Sequence, residues 1–216
     1  MRGAVATLIM TALLMAGCGA VEDSAPRDQA AATPPHLWPV EVSSGQRFVN
    51  EAFGVSAVFP AGAAVCVAES GTHHHGYYGR VGYRGPLCSP SADTPEAVVL
   101  GVYGDYNAAE HRTPRDVRTG DCLSEFPDEA MLAPDGQPFA LRNMPSVPCI
   151  LEEEEDRVTI LVTGLAGRRR GDESGVPTVT YSAWLTTSRG RLHGDKLLFQ
   201  QFLDGLVLTP PAPQGG

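Results

Sequence analysis

Thr178-Val-Thr-Tyr-Ser-Ala-Trp-Leu-Thr-Thr187 decides the fold class. Val179, Tyr181, Ala183 and Leu185 recur at every second position, while Thr180, Ser182, Trp184 and Thr186 fill the places between. A strand sends successive side chains to opposite faces, so this period of two predicts a strand with one apolar face. Downstream, Asp195 reads as the cap of a helix running through Asp204, with Leu198, Phe202 and Leu206 on one stripe and Phe199 and Leu203 beside it. Gly205 stops that helix, and Leu206–Leu208 returns as a short strand.

Upstream, Val147–Leu151 and Arg157–Thr163 read as strands around the acidic turn Glu152–Asp156. A glycine-containing loop with Arg168-Arg169-Arg170 joins the second of these to the opening strand, so the C-terminal third is an antiparallel meander. Ala97–Tyr103 is a continuous apolar run, the pattern of a buried central strand. Gly54–Phe59 alternates and ends at Pro60, entering a turn at Ala61-Gly62. The Gly- and Tyr-rich stretch Gly71–Gly85 reads as loop and edge strand. Thr113-Pro114 caps a short helix toward Thr119, after which Pro127, Pro134 and Pro138 break up regular structure. Strands followed by a helix that must bury its stripe on them make an α+β fold, an antiparallel sheet with the C-terminal helix on one face.

The N-terminus has a separate logic. Arg2 precedes an apolar run from Gly3 to Ala16, broken only by Thr7 and Thr11. A positive start, a short apolar core and small residues at the exit mark a secretory signal peptide. The run is too short for a comfortable transmembrane helix, which needs about 20 apolar residues. It ends in Leu14-Met15-Ala16-Gly17-Cys18, which resembles the lipobox of bacterial lipoproteins, with Met15 where leucine is commoner. The resemblance implies cleavage after residue 17 and acylation of Cys18. Two or three acyl chains, at about 0.8 kcal/mol per buried methylene, anchor a chain essentially permanently. Gly19, where an inner-membrane lipoprotein often carries Asp, implies by the same resemblance the outer membrane, facing the periplasm. The closing order of Thr-rich strand, turn and amphipathic helix, with the opening strand into Phe59-Pro60-Ala61-Gly62, is similar to PsbP-like α/β domains. That resemblance is architectural and implies no activity.

The expected organisation is therefore a signal peptide 1–17, a flexible tether 18–45 rich in Ala, Pro and Ser, one domain 46–208, and a Pro/Gly tail 209–216. Of 216 residues, 199 would remain after cleavage, enough for one real core. Losing Arg2 takes the net charge from −9 to −10, which argues against nucleic acid as partner. Beyond Cys18, the four cysteines Cys66, Cys88, Cys122 and Cys149 read in an exported chain as two disulfides with three possible pairings. Sequential pairing, Cys66–Cys88 and Cys122–Cys149, closes the shortest loops and is the expectation.

His73-His74-His75-Gly76 followed by Tyr77-Tyr78 is the most unusual local sequence. Imidazole is a common ligand for zinc or copper, and in an extended segment His73 and His75 share a face. His111, beside Glu110, supplies a third candidate ligand. The same loop, with Tyr77 and Tyr78, is also a candidate partner surface, as is the triplet Arg168–Arg170. Ser70 precedes His73 by three residues, but no nucleophile elbow, phosphate-binding loop or helical His–Glu–His spacing accompanies it. The expectation is a monomeric, non-catalytic binding or accessory protein of the envelope, inhibitor or immunity-type proteins being examples. The alternative is a metal-binding protein or metal-dependent enzyme using His73, His75 and His111.

Overall fold

The alternating stretch is a strand, Val179–Ser188, at the heart of a broad sheet. The computed structural model describes residues 39–70, 74–83, 85, 88, 97–117, 129–152, 156–167 and 174–212. Along the chain the strands are β1 (Val40–Glu41), β2 (Arg47–Asn50), β3 (Val55–Val58), β4 (Ala64–Ser70), β5 (His74–Val81) and β6 (Val98–Tyr106). They continue as β7 (Ser146–Glu152), β8 (Arg157–Ala166), β9 (Val179–Ser188) and, after the helix α1 (Leu192–Gly205), β10 (Val207–Leu208). A 3₁₀ turn at Glu129–Met131 precedes β7.

Seven strands form one antiparallel sheet in the order β1-β4-β5-β6-β9-β8-β7, and β10-β3-β2 form a small second sheet. The expected meander is present: β8 pairs with β7 on one side and with β9 on the other. Apart from Ala97, the apolar run at 97–103 lies in β6, the middle strand of the seven. Register places Tyr77, Val102, Ala183 and Val162 in line across four strands on one face. The small sheet covers that face through Phe48, Phe53 and Phe59, and α1 covers it through Phe199, Phe202 and Leu203. Phe139 completes the layer, its ring 4.9 Å from that of Phe199. Burying each such side chain stabilises by about 1.5–3 kcal/mol, so this layer is the main core. Tyr181 and Tyr77 reach through it, donating their hydroxyls to the carbonyls of Phe53 and Val49, each at 2.6 Å. These two bonds fix the β2–β3 hairpin to the large sheet.

The α+β expectation holds in outline, with specific corrections. Within the stretch 71–85 expected as loop and edge strand, residues 74–81 form β5, an interior strand paired with β4 and β6. Its glycines are close-packing positions. A Cβ on Gly79 would lie 2.5 Å from the Phe59 ring, and one on Gly76 would lie 1.9 Å from the Val102 carbonyl. Asp195 does not cap the helix, which starts three residues earlier behind Arg191 with no side-chain cap. Its carboxylate instead accepts hydrogen bonds from Thr187 Oγ1 and Arg191 Nη2. A buried β-strand hydroxyl has captured it, tying α1 to β9. The Thr113-Pro114 segment forms a turn through residue 117, in which Asp116 accepts from the Thr113 amide at 2.7 Å.

Paired structure also reaches back to Val40, within the stretch expected as tether, where β1 lies against β4. At the other end the Thr209 amide donates to Gly54 O, so the first tail residue is held to the domain. Cys66 and Cys88 form a disulfide, as sequential pairing requires, with Cα atoms 5.7 Å apart. Of the second expected pair, Cys149 is buried on β7 and Cys122 lies outside the described residues. Among the described residues no helix is long and apolar enough to cross a membrane.

Candidate functional site

Cys18, His73, Cys122 and Arg168–Arg170 lie outside the described residues. Most of the others gather at two places on or beside the large sheet. His75 enters β5 opposite Gly104 of β6, and His111 follows the end of β6, so both belong to the same end of the sheet. There the His75 ring stacks on Phe53, centroids 5.1 Å apart and planes within 19°. Tyr106 meets Phe53 edge-on at 4.8 Å and is itself largely exposed.

His111 is held by its backbone. Its amide donates to Asn107 Oδ1 at 3.0 Å, and its carbonyl accepts from Asn107 Nδ2 at 2.8 Å. The same Nδ2 donates to the Pro177 carbonyl at 2.9 Å, tying the turn after β6 to the approach of β9. Glu110, just before His111, has φ 55°, a left-handed conformation that costs a side-chain-bearing residue energy and that these bonds compensate. The nearby Asp116 carboxyl is held below its usual range by hydrogen bonds from Thr113, with smaller contributions from the Arg112 amide and the charge of His111. Among the described residues, no three His, Cys, Asp or Glu side chains are grouped to hold a metal ion.

The second place is the face of the large sheet opposite α1. Strand alternation divides the tyrosine pair: Tyr77, expected on a partner-contacting loop, is 2% exposed in the core, and Tyr78 lies on the other face. Register there aligns Cys66, Tyr78, Gly101, Trp184, Leu161 and Cys149 in one row across six strands. Trp184 lies over Gly101, where a Cβ would come within 2.0 Å of the indole, and its ring is 5.7 Å from that of Tyr103. Arg80, 3% exposed, sets its guanidinium 5.3 Å from the Tyr78 ring centre and 4.7 Å from that of Tyr83. Cation–π attraction is strongest when the cation is desolvated in this way. Beside the row, the hydroxyls of Thr159 and Thr186 lie 2.6 Å apart.

This face combines aromatic rings, hydroxyls and the stacked Arg80 guanidinium. Sequence reading did not pick out Trp184, Tyr103 and Arg80 as a group. The available signal was a tryptophan on the hydroxyl side of an alternating strand, together with a glycine inside an apolar run. Comparison with protein-family models, with curated proteins and with solved structures found no match.

Proposed function

We propose that the chain is an exported lipoprotein, cleaved before Cys18 and acylated there, whose domain works as a non-catalytic binding or accessory protein of the cell envelope. The observation that carries this reading is the Cys66–Cys88 disulfide, with Cys66 only 1% exposed on an interior strand. Structural disulfides belong to oxidising compartments, and the signal peptide and lipobox-like residues point the same way. A tether reaching the sheet at β1 leaves the domain room to meet a partner beyond the bilayer. The outer membrane, its periplasmic face and a monomeric state complete the reading, and Cys122–Cys149 is its second bridge. Tyr78 and Arg168–Arg170 are the residues to test as contacts, and inhibitor or immunity-type action fits such a protein.

Metabolic labelling with palmitate tests the anchor. Wild type should incorporate label and sediment with membranes, and Cys18→Ala should do neither. Label retained in Cys18→Ala, or absent from wild type, would overturn the proposal. For binding, photo-crosslinking from position 78 should give a saturable envelope adduct that Arg168→Ala/Arg169→Ala/Arg170→Ala weakens.

A second reading is favoured by one observation, the shared sheet end of His75 and His111. With His73 these residues would bind zinc or copper. Calorimetric titration of residues 19–216 distinguishes the two. Micromolar binding lost in His73→Ala/His75→Ala supports a metal protein, and equal heats in both proteins reject it.

A further inference from the structure

We draw no further inference here: the strongest candidate, the face of the seven-stranded sheet opposite α1 with its row Cys66–Tyr78–Gly101–Trp184–Leu161–Cys149, carries nothing because no contact among the described residues shows what covers it.

Discussion

Removing the Cys66–Cys88 bridge by a Cys66→Ala/Cys88→Ala double substitution should destabilise the domain through the unfolded state. The two cysteines are 22 residues apart. Loop-closure entropy for a ring of that size gives about 3 kcal/mol at 25 °C on the chain-entropy model. Spread over the roughly 140 described residues at about 2.1 cal/mol/K each, that loss lowers the melting temperature by about 10 °C. Urea denaturation, followed by far-UV circular dichroism, separates this cause from its competitor. A chain freed of its cross-link expands when unfolded, so the urea dependence of stability should steepen as stability falls. If only the packing of the buried Cys66 sulfur mattered, stability would fall with the slope unchanged. A loss under about 1 kcal/mol with an unchanged slope would refute the entropic reasoning. It would also weaken the case for an oxidising compartment, because the bridge would then be dispensable to the fold.

Asn107→Ala removes three hydrogen bonds that join the His111 turn to Pro177, at about 1 kcal/mol net each. A loss of about 3 kcal/mol in urea, with faster hydrogen exchange at the His111 amide, is expected. Gly101→Ala drives a methyl into the Trp184 indole, which must tilt away from the sheet. Overpacking of this kind costs about 1–3 kcal/mol, and a changed tryptophan emission, from one of only two tryptophans in the chain, should accompany it. For Asp116 the folded-state pKa lies below 3.8, so the turn it stabilises is fully held above that pH and loosens as pH falls through the lowered value. An NMR titration of the Asp116 carboxyl should find its midpoint below 3.8, and a midpoint above that value would contradict the hydrogen bonds from Thr113.

Much of this fold is legible where side-chain period and burial agree. β9 announces itself by alternation over Val179–Thr186, and β8 by apolar residues clustered within Arg157–Thr163. β5 hides because its glycines read as loop signals, and only the approach of Phe59 and Tyr103 explains them. β4 hides for a different reason: Ala64–Ala68 is small and apolar throughout, with no contrast between its faces. The helix boundary moved because Asp195 has two competing uses, capping a helix end or accepting from a strand hydroxyl, and only tertiary contact selects between them. At the site, local sequence singled out the histidines, of which His75 uses its ring for packing on Phe53 and His111 is held by Asn107 through its backbone. The Tyr78–Trp184–Tyr103 group stayed invisible because its members are far apart in the chain and only cross-strand register aligns them.

β9 also shows where the rule that polar alternation means solvent breaks down. Thr180, Ser182 and Thr186 are buried too, at 4–8% exposure against 0% for the Val179–Leu185 face. Threonine suits such a place because its branched carbon fills a pleated surface while its hydroxyl can bond within the sheet. The Thr159–Thr186 pair is the clearest instance, joining β8 to β9 at directly opposed positions. If that bond gives the hydroxyls their value, Thr159→Val and Thr186→Val should each destabilise by about 1 kcal/mol. The double variant should then cost less than the sum, with a coupling of about 0.5–1 kcal/mol, because the second substitution has no shared bond left to lose. Strict additivity would mean that the two hydroxyls act independently.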